Sequence, residues 1–232
     1  MDFLRRLGED AIGVIFPEIC VACGGKVVRG RRFLCTSCLY HLPRTYFHRY
    51  DDNPLAMEFW GRVRLEHAAA WFHYTKGSRY PVLIHALKYM GRRELGYELG
   101  RLYAHELDDT FVYETTVIVP VPLHRRKKRQ RGYNQSEWIG RGLAQVLNKP
   151  LQTNNLCRVH YTKTQTRKSR LERWQNVKNV FRLRQPQLLE GQHVLLVDDV
   201  VTTGATLEAC ADVLLLCPGT RVSVLALGYA NL

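Results

Sequence analysis

With 232 residues, 46% of them hydrophobic and 24% charged, the chain has the composition of an ordinary globular protein and is long enough for one good core plus a small accessory unit. No apolar run approaches the roughly 18 residues that a membrane-spanning helix requires. The formal net charge is +13, and its location matters more than its size. Residues 111–192 hold 17 Lys/Arg against 4 Asp/Glu, whereas the rest of the chain holds 17 of each sign. A basic excess confined to one stretch points to a polyanionic ligand, such as nucleic acid or a phosphorylated sugar, or else to a solvated face kept for solubility.

The first sixteen residues, MDFLRRLGEDAIGVIF, are apolar and basic. Glu9 and Asp10 interrupt any signal-peptide core and no small-residue cleavage site follows. The expectation is a short amphipathic helix with Leu4, Leu7, Ala11 and Ile15 on one face.

Seven cysteines follow, an odd number that includes two C-x-x-C pairs. This usage suits a reducing compartment, hence the cytoplasm, and a metal in preference to a disulfide framework. The pairs are Cys20/Cys23 and Cys35/Cys38, separated by eleven residues. Each pair can bend around one metal through a tight turn, with Gly24 supplying a permissive backbone after the first. Four thiolates leave no open coordination position, so the expected metal is structural zinc without catalysis; reduced free thiols or a redox pair are the alternatives. Cys157, Cys210 and Cys217 are scattered, and Cys210 reads as core.

Residues 63–75 (VRLEHAAAWFHYT) predict one strand or a bent pair. From Ser78, a candidate N-cap, Tyr80, Leu83, Ile84 and Leu87 have helical spacing, and Gly91 ends that helix. A second helix is expected from about Arg92 to Leu107. No chemistry is assigned to this region, and His85 and His105 read as ordinary helix residues.

Val117–Pro120 reads as a short strand. After it come Val121-Pro122-Leu123-His124, the run Arg125–Arg131 (RRKKRQR), Gly132-Tyr133-Asn134-Gln135-Ser136, and a helix reaching about Leu147. A second basic segment, Thr162–Arg173, carries Lys163, Arg167, Lys168, Arg170 and Arg173. Both basic runs are too polar for the core and are expected as loops or loop–helix junctions near the ligand.

His193–Asp199 (HVLLVDD) is an apolar run ending in two carboxylates, which reads as a buried parallel strand. Val200–Thr206 (VVTTGAT) is then a turn, a helix follows from Ala205, and Pro218-Gly219 breaks it before the apolar strand Val222–Leu227. A ligand is expected at the carboxyl end of the first of these strands. Thr202, Thr203 and Thr206 offer hydroxyls, Gly204 lets the backbone close on a ligand, and the helix N-terminus points free N–H groups and a positive dipole end at the same spot. This is a phosphate cradle, although it lacks the Gly-Lys-Ser/Thr of a Walker loop and the G-x-G-x-x-G of a dinucleotide fold. Asp198 and Asp199 would repel a phosphate unless they contact something else, such as two vicinal hydroxyls or a metal. Phosphate plus vicinal diol describes a ribose 5-phosphate. The bland alternative is a core strand followed by a chance Thr-Gly turn.

VLLVDDVVTTGAT resembles, over all thirteen positions, the 5-phosphoribosyl-1-pyrophosphate (PRPP) motif of type I phosphoribosyltransferases. Nearly the whole chain is similar to the ComF family of competence-associated, phosphoribosyltransferase-like proteins. The match takes in the four-cysteine N-terminus, residues 120–124, Arg131-Gly132-Tyr133-Asn134-Gln135, Thr164-Gln165-Thr166 with its downstream arginines, and the PRPP motif. Relatives usually carry Phe where Tyr133 stands. The resemblance implies an α/β fold: an open, mostly parallel sheet flanked by helices, with a small N-terminal four-cysteine zinc-ribbon unit. Expected boundaries are 1–45 for the N-terminal helix and zinc unit, 46–110 for a connecting region packed on the core, and 111–232 for the phosphoribosyltransferase-like core.

It further implies that Asp198 and Asp199 take the ribose hydroxyls and that Val201, Thr202, Thr203, Gly204, Ala205 and Thr206 take the 5-phosphate. Pyrophosphate, with magnesium, falls to the loop containing Leu123, His124, Arg125 and Arg131, and Lys163 lies on a basic loop that closes over the site. The acceptor is not legible. A PRPP sensor and a non-catalytic single-stranded DNA-handling protein are the competing readings; the second draws on the basic segment and on Tyr133, Trp138, Tyr161 and Trp174, which read equally well as core or interface. DNA-uptake proteins are the partners this would imply.

Overall fold

The fold was analysed in a computed structural model that describes residues 18–28, 32–107, 110–159 and 180–230. The N-terminal helix, Tyr161, Lys163, Trp174 and the segment Thr162–Arg173 lie outside them.

The helices are α1 (Thr36–Tyr40), α2 (Pro54–Met57), α3 (Pro81–Tyr89), α4 (Arg93–Ala104), α5 (Arg125–Arg131), α6 (Gln135–Leu147) and α7 (Ala205–Leu214). The strands are β1 (Ala68–His73), β2 (Val117–Pro120), β3 (Leu156–Arg158), β4 (Phe181–Leu183), β5 (His193–Val201) and β6 (Arg221–Tyr229). Four strands form one sheet in the order β1-β6-β5-β2, and β3 and β4 form a separate ribbon. All pairings in the main sheet are parallel, whereas β3 and β4 run antiparallel. Parallel strands are covered on both faces and therefore read as unbroken apolar runs. Val194, Leu195, Leu196 and Val197 of β5 and Val222, Val224, Leu225 and Leu227 of β6 are all buried.

Two helices on one side approach unusually closely. A Cβ on Gly100 of α4 would lie 2.2 Å from the Ile139 carbonyl oxygen of α6, and one on Gly142 of α6 would lie 2.0 Å from the Tyr97 carbonyl oxygen. Only glycine permits this backbone contact. It fixes α6, and with it the segment 133–136, against the sheet.

Beyond the four cysteines, the polypeptide is clamped to the turn after α4 by Arg44, which donates two hydrogen bonds of 2.8 Å to the Glu106 carboxylate and one of 2.9 Å to the Leu39 carbonyl. Trp71 of β1 donates to the same carboxylate at 2.9 Å. A bidentate pair of this kind is stronger and more directional than a lone surface ion pair.

Several local expectations need correction. Ser78 caps nothing: its hydroxyl donates to the Thr75 carbonyl in a turn, and α3 begins three residues later with Pro81 in its first turn, where a missing N–H is harmless. The strand expected over 63–75 is confined to β1, since Phe59–Val63 turns back on itself through Arg62 N–H and Val63 N–H bonds to the Phe59 carbonyl. The run Arg125–Arg131 is a helix, not a loop, with no buried residue. Arginine and lysine are good helix formers, and Gly132, at φ 83°, ends it in the left-handed conformation.

Candidate functional site

The expected site lies at the carboxyl end of β5, where its side chains alternate across the sheet and Asp198 and Asp199 therefore diverge. Asp198 accepts a hydrogen bond of 2.9 Å from the Ser136 hydroxyl and one of 2.8 Å from the Asp199 backbone N–H. Asp199 is buried and forms an ion pair of 2.9 Å with Lys88 near the end of α3. Burial, reinforced by the Asp199 charge, pushes the Asp198 carboxyl up from 3.8 to about 7, against the opposing pull of the Asp199 N–H, Ser136 and Lys88. A carboxyl poised there is ready to ionise when a cation or a pair of hydroxyl donors arrives.

A pH dependence follows. A folded-state pKa above the unfolded value means that the folded protein binds the extra proton, so stability present at acid pH is lost as pH rises from about 4 through about 7. Ligand contacts that need the carboxylate behave oppositely. Affinity for a ligand that donates hydroxyls to this carboxylate is expected to rise about tenfold from about pH 6 to about pH 8, and Asp198→Asn should flatten both profiles. Calorimetric titrations and thermal melts across this range measure them; a wild-type profile as flat as that of the variant would refute the assignment.

After β5 the chain turns into α7 through Gly204, which sits at φ 68°. Asp198 and residues 200–207 line a small cavity of about 40 Å³, and Thr202, Thr203, Ala205 and Thr206 are exposed along it. The first-turn N–H groups of α7 have no intrahelical acceptor, as an anion cradle requires.

The other wall of this loop comes from the region to which the sequence assigned no chemistry. A Cβ on Gly204 would stand 2.8 Å from Phe59 Cε1. Arg62 donates to the Thr203 carbonyl from both terminal nitrogens at 3.3 Å and forms an ion pair with Glu208 in the first turn of α7. Lys88, Phe59 and Arg62 thus join the site from over a hundred residues away. No local pattern marks them, because only the sheet order brings their elements to the end of β5.

The 131–136 motif also acquires a physical account. Tyr133 is buried, with its hydroxyl donating 2.5 Å to the Leu87 carbonyl, which makes it a core residue and no stacking platform. Asn134 donates to the Val121 carbonyl at 2.9 Å, holding the loop after β2. Ser136 reaches Asp198, while Gln135 Nε2 is buried without a partner among the described residues. Trp138 is half-buried, with the Arg93 and Arg141 guanidinium groups 5.1 and 5.4 Å from its ring.

Leu123, His124 and Arg125 line a second cavity, of about 390 Å³. His124 Nδ1 accepts from the Arg126 N–H at 3.2 Å. Its pKa is lowered by burial and by Arg158, Arg125, Arg126 and Lys127, and a neutral ring so bonded presents Nε2–H as a donor. Arg131 does not line this cavity; its guanidinium lies 5.4 Å from the Tyr89 ring.

The sulfur atoms of Cys20, Cys23, Cys35 and Cys38 lie within 4.8 Å of one another, and Cys23 and Cys35 are 3.7 Å apart. Sulfurs about 2.3 Å from a tetrahedral zinc would be separated by about that distance. Backbone N–H groups of Gly25 and Cys38 point at the Cys23 and Cys35 sulfurs at 3.4 Å, and Gly24 adopts φ 73° between the two turns. Burial raises the Cys20 thiol, but N–H groups of Cys35, Cys23 and Ala22 outweigh it and bring it from 9.0 down to about 7. Burial and the neighbouring thiols push Cys38 up to about 12. Four packed sulfurs cannot all ionise without a cation among them, so the set fits a closed metal site.

Comparison with known proteins agrees with this geometry. Residues 134–227 match the phosphoribosyl transferase domain family. The DNA utilization protein YhgH of Salmonella typhimurium is 35% identical over 205 residues, covering 85% of this chain and 84% of that protein. Competence protein F of Haemophilus influenzae is 28% identical over 212 residues, covering 84% and 90%. Among solved structures, a glutamine PRPP amidotransferase from B. subtilis complexed with ADP and GMP aligns with 58% of this chain and 26% of its own at 23% identity and a TM-score of 0.42. A parallel sheet flanked by helices, a cysteine cluster that can hold a metal, and relatives matched over most of their length together place the chain in the ComF family of phosphoribosyltransferase-like proteins.

Proposed function

We propose that the chain binds PRPP at the end of β5 and transfers its phosphoribosyl group to an acceptor, expelling pyrophosphate. The observation that carries this reading is the conjunction of Asp198 and Asp199 with the hydroxyl-rich turn 202–206 at the N-terminus of α7. In this reading the α7 N–H groups and Thr202, Thr203 and Thr206 hold the 5-phosphate. Asp198 and Asp199 accept from the two ribose hydroxyls, with Lys88 and Ser136 orienting them. Arg62 fixes the Thr203 carbonyl and so keeps the cradle open toward ligand. Magnesium, bound with PRPP, would supply charge neutralisation of the departing pyrophosphate. His124 Nε2–H and Arg125 donate to the same group as negative charge builds on it, and are most effective where water is excluded. Arg131 and Lys163 complete the proposed set of basic groups, and zinc on the four cysteines is structural. Residues 1–45, 46–110 and 111–232 are the proposed units, with β1 of the second supplying an edge of the sheet.

The exposed helix α5, with six cationic side chains in seven residues, favours single-stranded DNA as a further ligand, in keeping with the names of the relatives. The reaction is tested by pyrophosphate release from PRPP and magnesium across nucleobases, nucleosides and oligonucleotides. The expected result is release that depends on both magnesium and one acceptor class. Tight PRPP binding without release for any acceptor would make the protein a sensor instead.

A further inference from the structure

The 390 Å³ cavity beside the loop after β2 carries more positive charge than a pyrophosphate group accounts for. His124, Arg125 and Lys128 face it from the loop and α5, and Arg158, Arg182 and Arg184 from the β3–β4 ribbon and its continuation. No carboxylate of the described residues lines it. The ribbon holds them in register: Arg158 pairs with Phe181 and Cys157 with Arg182, the Arg158 guanidinium lies 5.5 Å from the Phe181 ring, and Arg184 N–H donates to the Asn155 carbonyl at 3.0 Å. Pyrophosphate chelated by a divalent cation is already largely neutralised, and His124 and Arg125 stand nearest the loop that would hold it. Arg182 and Arg184, both exposed, are surplus to that task. Leu156 and Val159 add apolar wall between the cations, which suits an organic ligand better than a bare inorganic ion.

We propose that this cavity binds a second phosphate-bearing ligand, a nucleotide unit either free or at the end of a strand, through Arg182 and Arg184. The inference rests on the PRPP reading only for its meaning: it makes this ligand the candidate acceptor. The cavity brings a phosphate to the site by charge, and planar guanidinium groups can hold its oxygens in bidentate fashion.

The test compares the full chain with Arg182→Ala/Arg184→Ala. Both side chains are exposed, so the variant is expected to keep its fold, and its melting temperature verifies this. Each protein is titrated calorimetrically with magnesium-PRPP, with AMP and with a 5′-phosphorylated oligothymidylate. The expected result is a loss of about tenfold or more in nucleotide or oligonucleotide affinity, with PRPP affinity within about twofold of wild type. For the oligonucleotide, the slope of log affinity against log salt should fall by about 1.4, or roughly 0.7 per lost phosphate contact. Binding of AMP identifies a free nucleotide, and binding of the oligomer alone identifies a strand. A parallel fall in PRPP affinity would assign the arginines to pyrophosphate and overturn the proposal. So would nucleotide affinity that is unchanged in the variant, since the nucleotide would then occupy the 202–206 cradle, or no nucleotide binding by wild type. Nucleotide binding that depends on the arginines, in a protein that does not bind PRPP, would refute the PRPP reading while leaving this site intact.

Discussion

Asp199→Ala is expected to weaken PRPP binding by about tenfold to a hundredfold. Hydrogen bonds to a charged partner contribute roughly 1.5–3 kcal/mol each, and the proposed role gives this carboxylate one, from one of the two ribose hydroxyls. The variant also strands Lys88, whose side chain is 23% exposed, opposite a vacated partner. Leaving such a charge unpaired lowers stability by itself. The two effects separate in Lys88→Met/Asp199→Asn, which removes both charges: stability should recover toward wild type while PRPP affinity does not. Calorimetric titration with PRPP and magnesium, alongside thermal melts, reads both quantities. PRPP affinity in Asp199→Ala within about fivefold of wild type would remove Asp199 from the ribose site.

Removing the metal should have a larger effect, centred on the four-cysteine unit. Purified protein is expected to contain about one equivalent of zinc, and Cys38→Ser or chelation should abolish it. Apparent binding free energies of structural zinc in small units are about 10–16 kcal/mol, so its loss should unfold residues 20–45 locally. The damage has a defined route into the core. Cys38 and Leu34 are buried, and the Tyr80 hydroxyl donates to the Cys38 carbonyl at 3.1 Å. Limited proteolysis should therefore cut first between residues 20 and 45, with cleavage of the parallel sheet delayed. Less than half an equivalent of metal in wild type, with all four thiols reactive, would defeat the assignment.

Much of this protein could be read from residue order. The apolar run into Asp198-Asp199, the Thr-Gly turn and the helix after it are contiguous, so periodicity and turn chemistry suffice to read them. The same holds for the two C-x-x-C pairs, whose ligand geometry is built by tight local turns, and for α6 and β2. Charge counting also located the basic excess. The departures fell where local preferences compete: Arg125–Arg131, expected as a loop or loop–helix junction, is composed of helix formers and is helical throughout, and Ser78 looks like a cap two residues before the real one, Tyr80.

The tertiary structure alone decided who stands around the carboxylates. Lys88, Ser136, Phe59 and Arg62 converge because β1, β2, β5 and β6 are ordered as they are, and because α4 and α6 meet at Gly100 and Gly142 without intervening side chains. The pushed-up Asp198 carboxyl is likewise a property of burial and of its neighbour, which a sequence cannot express. The cationic cavity needed two elements distant in sequence, α5 and the β3–β4 ribbon, to share a wall. Sequence determines the chemistry carried within one turn or strand; the packing of separate elements determines which of those chemistries share a site, because contact energies fall off within a few ångströms while the chain can separate the partners by a hundred residues.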